Sequence, residues 1–207
     1  MEGTPGIATI TTTGANTAIA SNLVPGVYTF EYTISATGCT SSDQMTVTLY
    51  VPPSTASAGA DQNLCDASSF VMAAATPGSG TGSWSVLSRP AGDTGTFNNT
   101  ASPTATYTPV GNKYGVYVFQ WTVSNGGCSN TDQIRVTNYQ PPSSAVPGAN
   151  QTGVCTTYIT MNATAPTVGL GTWTLEPGGP AGATPIITNP TDPQTTITNL
   201  IPAVYPA

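Results

Sequence analysis

Apolar and polar residues alternate along each apolar stretch of this sequence, which is typical of strands that bury one face. In residues 116–123 the positions predicted to face inward are Tyr117, Phe119, Trp121 and Val123. An earlier stretch repeats the pattern, and its predicted inward positions are Tyr28, Phe30, Tyr32 and Ile34. No window of ten residues carries an apolar stripe at helical spacing, and 22 Gly and 19 Pro residues separate the runs. The pattern therefore predicts an all-β chain.

The alternating stretches recur at a fixed interval along the chain. Tyr28 and Tyr117 are 89 residues apart. Intervals of 89 or 90 residues also separate three further pairs of landmarks: Cys39 and Cys128, Trp84 and Trp173, and Cys65 and Cys155. A repeat of this length indicates a tandem array of modules. It predicts the C-terminal half of a repeat in 1–53, a complete repeat in 54–142, and the N-terminal part of a third in 143–207.

Short strands in units of about 90 residues are typical of a Greek-key β-sandwich. Trp84 lies where an immunoglobulin-like module has the tryptophan of its third strand. Gly115 and Tyr117 have the spacing of a tyrosine corner, and so do Gly26 and Tyr28. A third copy, Ala203-Val-Tyr205, has Ala in place of Gly. The residues predicted to form the structural core are Tyr28, Phe30, Trp84, Tyr117, Phe119, Trp121 and Trp173.

Several segments resemble a known class of surface repeat. Ala58-Gly-Ala-Asp-Gln62, Gly82-Ser-Trp-Ser-Val86 and Tyr117–Asn125, in this order, resemble the PKD-like and Ig-like repeats of giant Bacteroidota surface proteins. The third unit keeps the order in Gly148-Ala-Asn-Gln151 and Gly171-Thr-Trp-Thr-Leu175. The resemblance is most specific to the repeat region of SprB-type gliding-motility adhesins. It implies tandem Ig/PKD-like sandwiches, type IX secretion to the bacterial cell surface, and a role in adhesion or gliding motility.

Charged residues make up only 6% of the sequence, with three cations against nine acids and no His. Neutralising phosphates requires clustered Lys and Arg, so the composition excludes a nucleic-acid partner. An anionic membrane surface would repel a chain of net charge −6. No apolar run approaches the roughly 18 residues of a membrane span, and we expect no direct membrane insertion.

The sequence offers no set of residues for catalysis. A serine nucleophile has no His to act as its base, and Gly-x-Ser-x-Gly is absent. The scattered acids Glu31 and Glu176 make a poor pair for glycoside hydrolysis. A calcium site needs roughly six to eight converging oxygens, and capping of turns is the preferred interpretation of Asp43 and Asp132. We therefore predict no enzyme, no cofactor and no metal.

The four cysteines form two repeat-related pairs in a chain that resembles secreted proteins, which favours disulfides over metal ligation. The simplest pairing joins Cys65 to Cys128 within the complete unit, and leaves Cys39 and Cys155 with partners outside the chain or in a neighbouring copy. Usual sandwich topology places Cys65 and Cys128 at opposite ends. Bonds between neighbouring modules and free thiols therefore remain open alternatives.

These features predict a non-catalytic structural segment of a long extracellular adhesin or filament. The alternative is a spacer or carbohydrate-binding module of a secreted polysaccharide-degrading enzyme. The expected partners are neighbouring repeats or copies of the chain itself, with surface glycans or a substratum as further candidates. Because 143–207 and 1–53 are complementary parts of one sandwich, copies could join head to tail by sharing strands.

Overall fold

The computed structural model describes residues 8–14, 17–177 and 179–201, and the regular elements of these residues are all β-strands. In chain order they are β1 (Thr9–Gly14), β2 (Thr17–Ser21), β3 (Gly26–Ala36), β4 (Cys39–Leu49), β5 (Gln62–Cys65), β6 (Phe70–Val71), β7 (Thr81–Ser88), β8 (Thr96–Phe97), β9 (Thr106–Thr108), β10 (Gly115–Asn125), β11 (Cys128–Tyr139), β12 (Ile159–Thr160), β13 (Ile186–Ile187) and β14 (Thr196–Thr198). The predicted all-β class is confirmed.

Strands β5 to β11 form two sheets that pack face to face. One sheet has the order β5-β11-β10-β7 and the other the order β6-β9-β8. Aromatic rings join the two layers: the ring centroids of Phe70 and Tyr117 lie 4.8 Å apart, and those of Phe97 and Phe119 lie 5.2 Å apart. Non-consecutive strands are neighbours in both sheets, as in an immunoglobulin-like sandwich. This confirms the predicted Ig/PKD-like β-sandwich.

The hairpin of β10 and β11 carries most of the buried face. Tyr117 pairs with Val136 and Phe119 pairs with Ile134 in antiparallel register. The residues of this hairpin that are buried and apolar are Tyr117, Phe119, Trp121, Val123, Ile134 and Val136. Successive side chains of a strand point to opposite faces, so the alternation in the sequence correctly predicted the buried side.

Strand β5 lies on the other side of β11 and runs in the same direction. Backbone N–H groups that precede and follow β5, at Ala58 and Ala67, donate to side chains of Asp132 and Asn138, at 2.8 and 3.0 Å. Their partners lie in the same order along β11, which fixes the parallel direction. Parallel neighbours cannot be joined by a tight turn, and β5 and β11 are indeed far apart in sequence.

Two hairpins precede the complete sandwich. β1 pairs with β2, and β3 pairs with β4 in a continuous antiparallel register. Tyr28 is buried, as predicted, and Phe30 is half-buried. Tyr32 and Ile34 were expected to face inward, yet they are 74% and 59% exposed. The hairpin has the predicted apolar face, but in the described residues no second sheet covers its far end.

Residues 139–201 repeat one layer of the sandwich. Their sheet has the order β12-β14-β13, which matches β6-β9-β8 strand for strand. Hydrogen bonds outside the ladders also correspond: Met72 N donates to Ala105 O at 2.8 Å, and Met161 N donates to Thr195 O at 2.8 Å. The sequence repeat is therefore a structural repeat, with an interval of 89 residues at the first strand and 90 at the other two.

The chain divides into two compact units, Met1–Asn138 and Tyr139–Ala207. The repeat boundaries at 53/54 and 142/143 remain predictions from the sequence. The third tyrosine-corner candidate, Tyr205, lies outside the described residues. Among the residues with described structure, no helix has the length and apolar character to cross a bilayer.

Candidate functional site

The centre of the complete sandwich is a pair of tryptophans from adjacent strands. Trp84 on β7 pairs with Trp121 on β10, and their ring centroids lie 5.1 Å apart. Trp84 Nε1 donates to Ser102 O at 3.1 Å, whereas buried Trp121 Nε1 has no hydrogen-bond partner within the described part of the chain. Gly82 lies directly against the Trp121 ring, because a Cβ at this position would come within 1.9 Å of Cζ2.

Both described tyrosine corners are present. The Tyr28 hydroxyl donates to Val24 O and accepts from Val24 N, each at 2.8 Å. The Tyr117 hydroxyl donates to Asn112 O at 3.4 Å. Burial raises the pKa of Tyr117 to about 12, with nearby Asp93 as the next contribution. These contacts confirm the corners predicted from the Gly-x-Tyr spacing.

A buried carboxylate that the sequence analysis missed organises one end of the sandwich. Asp93 accepts hydrogen bonds from Tyr107 Oη at 2.6 Å, Val110 N at 2.8 Å and Gly95 N at 3.1 Å. Arg89 donates to Gly95 O at 3.0 Å beside them. Burial and then the bond to Asp93 raise the pKa of Tyr107. The only signal in the sequence was an Asp between two glycines, which is also typical of an ordinary turn.

The third unit replaces this network rather than repeating it. Ile197 stands at the position of Tyr107 and Ala183 at the position of Asp93, each 90 residues later. The local turn is retained, since Asp93 N donates to Pro90 O at 3.1 Å and Ala183 N donates to Pro180 O at 3.0 Å. The phenol and the carboxylate are absent together, as expected if each needs the other when buried.

An exposed ion pair lies near the C-terminal end of β11, where Asn138 is hydrogen-bonded to Ala67 and Lys113. Lys113 Nζ lies 2.9 Å from Asp66 Oδ1, and the Tyr114 hydroxyl donates to the same oxygen at 2.8 Å. The hydrogen bonds from Lys113 and Tyr114 lower the pKa of Asp66. The pair ties the segment after β5 to the segment before β10. Solvent-exposed pairs of this kind contribute little to stability.

The recurring aspartates act differently from the predicted turn caps. Asp132 Oδ2 accepts from Ala58 N at 2.8 Å, so it joins two distant segments rather than closing a local turn. Asp61, which lies just before β5, accepts a hydrogen bond from Arg135 N of β11 at 2.8 Å and so joins the same two segments. Asp43, at the repeat position of Asp132, accepts only from its neighbour Gln44 N at 2.9 Å in the described structure. The capping interpretation therefore has to be corrected for Asp132.

The four cysteine thiols are free and exposed. Cys65 ends β5, two residues before Ala67, whose N–H donates to Asn138. Cys128 begins β11 and lies ten positions before Asn138, which corresponds to roughly 30 Å of strand. A disulfide requires Cα atoms within about 7 Å. The structure thus does not bring Cys65 and Cys128 together, and bonds between modules or free thiols are the alternatives that fit this arrangement.

The proline linker that enters the complete module is hydrogen-bonded to the turn between β10 and β11. Asn125 Nδ2 donates to Val51 O at 2.8 Å, and Asn130 Nδ2 donates to Pro53 O at 3.2 Å. Ser54 N donates to Ser79 O at 3.0 Å. The chain therefore enters the complete module beside the start of β11 and leaves it at Tyr139, the last residue of the same strand.

An apolar groove of about 170 Å³ lies along the inner face of the third unit. We call it the open groove, and its floor and walls include Pro142, Val146, Leu170, Gly171, Trp173 and Pro193. Trp173 is only half-buried, unlike its counterpart Trp84, and Leu170 is 95% exposed. Among the described residues from 139 onward, Thr195 is the single buried one. The described residues of this unit form one layer of a sandwich and expose the face that the other layer covers in the complete module.

The polar residues of the described structure do not converge on a reactive centre. Glu31 accepts from Gln44 Nε2 at 3.4 Å on an exposed strand face, and Glu176 is exposed. Within the described ranges, no group of three or more His, Cys, Asp or Glu residues is placed to hold a metal ion. The most distinctive surfaces are therefore the open groove and the exposed face of the β3–β4 hairpin.

Comparison with known proteins gives likeness in fold alone. No family model matches the chain, and no curated protein matches it. The PKD domain of human KIAA0319 matches with 19% identity and a TM-score of 0.35, over 46% of this chain and 88% of that one. Titin domains I67–I69 match with 14% identity and a TM-score of 0.44, over 95% and 73%. The endo-fucoidan hydrolase MfFcnA4 of glycoside hydrolase family 107 matches with 15% identity and a TM-score of 0.27, over 97% and 34%.

Proposed function

We propose that this chain is a non-catalytic structural segment of a long adhesin on the outside of a bacterial cell, used in adhesion or gliding motility. The observation that carries the proposal is the path of the chain through the complete module. The chain enters beside Asn130 and leaves at Tyr139, near opposite ends of β11. A module that the chain enters and leaves at opposite ends suits a long array of repeats better than a compact enzyme.

The contacts between β5 and β11 support a mechanical role. The two strands run in parallel, and tension applied through the two linkers pulls them past each other. Hydrogen bonds at Ala58, Arg135 and Ala67 lie across this boundary, at 2.8, 2.8 and 3.0 Å. In this geometry the bonds are loaded together rather than opened one at a time, so the module resists extension.

The surface composition supports an exposed location. Three cations in the whole sequence leave few sites for a protease that cleaves after Lys or Arg. Polar uncharged residues and a net charge of −6 provide solubility instead. The resemblance to gliding-motility adhesin repeats gives the specific form of the proposal, namely secretion to the bacterial surface.

Single-molecule stretching of the full chain, held at its two ends, tests the mechanical role. Unfolding of one 89-residue repeat should lengthen the chain by about 280 Å in one step. Asp132→Ala removes the bond to Ala58 N and should lower the unfolding force. Asp43→Ala is the matched control, because Asp43 holds the same repeat position outside the complete sandwich. A smooth extension without a discrete step would refute the proposal.

A glycan array separates this proposal from the carbohydrate-binding alternative. The structural proposal expects the chain to bind no sugar selectively, because its role is to carry load rather than to recognise a ligand. Selective binding of one sugar class, abolished by Trp173→Ala, would favour the alternative, since aromatic rings are the usual stacking platforms for sugars.

A further inference from the structure

The residues that lead into the complete module lie against the end of it at which β11 begins. They are Tyr50-Val-Pro-Pro-Ser54, which we call the linker segment. The Tyr50 ring lies directly over the turn between β10 and β11, because a Cβ at Gly126 would come within 2.2, 2.4 and 2.5 Å of three ring atoms. Gly126 also has a φ of 58°, in the left-handed region that favours glycine. Only a residue without a side chain leaves room for this ring.

The backbone of the linker segment is bound by side chains of the complete module. Proline has a carbonyl but no N–H, so a segment with two prolines presents mainly acceptors and needs donors around it. Asparagine and serine side chains supply them, and four consecutive carbonyls each accept a hydrogen bond. Val51 O accepts from Asn125 Nδ2 at 2.8 Å, Pro52 O from Ser79 Oγ at 3.1 Å, and Pro53 O and Ser54 O from Asn130 Nδ2 at 3.2 and 3.4 Å.

The two prolines keep the linker segment extended before it binds. Each ring fixes its own φ at about −65°, and each also restricts the residue before it to extended conformations. Pro53 is buried in the contact, whereas Pro52 is exposed. The segment is also part of the same chain as its site, so the contact is intramolecular. Because little freedom is left to lose, hydrogen bonds of ordinary strength are enough to hold the segment.

We propose that this end of the complete module is a docking site for the last residues of the preceding repeat, and that it holds the two repeats at one fixed angle. The site consists of Ser79, Asn125, Gly126 and Asn130, and we call it the entry site. It takes an aromatic ring followed by an extended segment with two prolines. The joint is then a specific contact rather than a free tether. The inference goes beyond the proposed function, since it applies to a tandem array in any location.

Part of the same contact recurs one repeat later. Tyr139-Gln-Pro-Pro-Ser143 repeats the linker segment at an interval of 89 residues, with Gln at the second position. Ser54 N donates to Ser79 O at 3.0 Å, and the equivalent bond from Ser143 N to Val168 O measures 3.1 Å. The path of the linker beside this loop is therefore a property of the repeat and not an accident of one junction.

The first hairpin shows that closing the turn does not require the residues of the entry site. Ala36-Thr37 stands 89 positions before Asn125-Gly126. The turn is nevertheless closed in the same register, since Ala36 pairs with Cys39 as Asn125 pairs with Cys128. Asn125 and Gly126 are thus dispensable for a hairpin of this length. Their contacts with the linker segment account for their presence in the complete module.

Distances between two spin labels test the fixed angle in the full chain. With the four native cysteines replaced by Ser, Thr48→Cys near the end of β4 and Ser88→Cys at the end of β7 provide exposed labelling positions. The docked joint should give one narrow distribution of distances. A released segment of residues 50–54 spans up to about 16 Å, so an undocked joint should spread the distances over roughly that range.

Two variants of the labelled chain separate the entry site from the rest of the module. Asn125→Ala combined with Gly126→Thr installs the turn of the first hairpin and should give the broad distribution. Gly127 is then free to adopt the left-handed conformation that Gly38 has at a φ of 81°, so the hairpin still forms. Val51→Gln is the matched control and should keep the narrow distribution, because Val51 contributes its carbonyl and its side chain is 49% exposed.

Nuclear magnetic resonance tests the ring contact separately. A proton that lies under the face of an aromatic ring resonates upfield of its usual position. The α proton of Gly126 that points at the Tyr50 ring should show this shift, and Tyr50→Leu should abolish it. The α protons of Gly127 are the internal control, since no described atom lies within 4 Å of a Cβ built there. Their resonances should not respond to Tyr50→Leu in the same way.

Three results would overturn the inference. They are a wild-type distance distribution as broad as that of the double turn variant, a narrow distribution that the double turn variant retains, and α protons of Gly126 without an upfield shift. None of them bears on the stretching experiment, because a free joint between modules leaves the discrete unfolding step of a module in place. Failure of the fixed joint and failure of the mechanical role are therefore distinguishable.

Discussion

Substitution of Gly82 by Ala isolates the packing on which the complete sandwich depends. A Cβ at this position would lie 1.9, 2.4 and 2.7 Å from three atoms of the Trp121 ring. Ordinary contact needs about 3.6 Å, so the ring has to move by roughly 1.7 Å. Trp121 is fully buried and lies 5.1 Å from Trp84. It has no free space to move into without displacing other core residues.

The expected loss of stability follows from these distances. Overpacking of a core costs about 1–3 kcal/mol, and complete loss of a buried tryptophan costs about 3–5 kcal/mol. Because the buried ring has to move, we expect the free energy of unfolding to fall by about 3 kcal/mol, the upper end of the overpacking range. For a module of this size the melting temperature should then fall by roughly 12–24 °C.

Urea denaturation followed by tryptophan fluorescence measures the effect, at a concentration low enough to keep the chain monomeric. Gly171→Ala is the matched control and should change the free energy of unfolding by no more than about 0.5 kcal/mol, the usual range for a surface substitution. In a Trp121→Leu background, Gly82→Ala should also cost little, because the ring it meets is gone. Equal losses for Gly82→Ala with and without Trp121 would refute the reasoning.

Three further predictions concern the polar contacts of the module. Asp93→Ala leaves the Tyr107 hydroxyl and two backbone N–H groups without their acceptor, and should lower the free energy of unfolding by about 3 kcal/mol. The double variant with Tyr107→Phe, which removes the hydroxyl and keeps the ring, should be more stable than Asp93→Ala alone in thermal denaturation. Burial raises the pKa of Tyr117 to about 12, so the protonated phenol stabilises the folded state fully below pH 10. This stabilisation, roughly 2–3 kcal/mol, is lost as the pH rises from 10 to 12. In Tyr117→Phe, the free energy of unfolding measured in urea should fall less steeply over this pH range. The hydrogen bond from Lys113 lowers the pKa of Asp66, so the charged carboxylate stabilises the folded state above about pH 4. This stabilisation is lost as the pH falls through the pKa of Asp66 in the folded state. The melting temperature of Asp66→Asn should therefore fall less than that of the wild type in acid, and an equal fall would contradict the assignment.

The core could be predicted because it depends on local alternation. Every second residue from Tyr117 to Val123 is apolar, and the pleat of a strand puts all of them on one face. The tyrosine corners are local as well, since the Tyr28 hydroxyl reaches a residue only four positions away. Patterns confined to one strand or one turn were thus sufficient to predict the fold.

The contacts that were missed join residues far apart in sequence. Asp132 meets Ala58 across 74 positions, and Asp93 meets Val110 across 17. Nothing in the residues next to either aspartate distinguishes a long-range acceptor from a turn cap. The positions of Cys65 and Cys128 were uncertain for the same reason, because they depend on the parallel direction of β5 beside β11, which a strand's own sequence does not encode.

The two Gly-x-Trp segments show how far local sequence determines structure in this chain. Gly82 and Trp84 belong to a strand, and Trp84 is buried; Gly171 and Trp173 have the same spacing, yet they lie outside any described sheet and Trp173 is half-exposed. The difference is the strand beside them, since β10 pairs with the first segment and the second has none within the described residues. Strand formation here is a property of the neighbour as much as of the sequence, as expected when β-propensity reflects packing and burial. A neighbouring strand that pairs with residues 170–177 should therefore bury Trp173 and shift its fluorescence maximum to shorter wavelength.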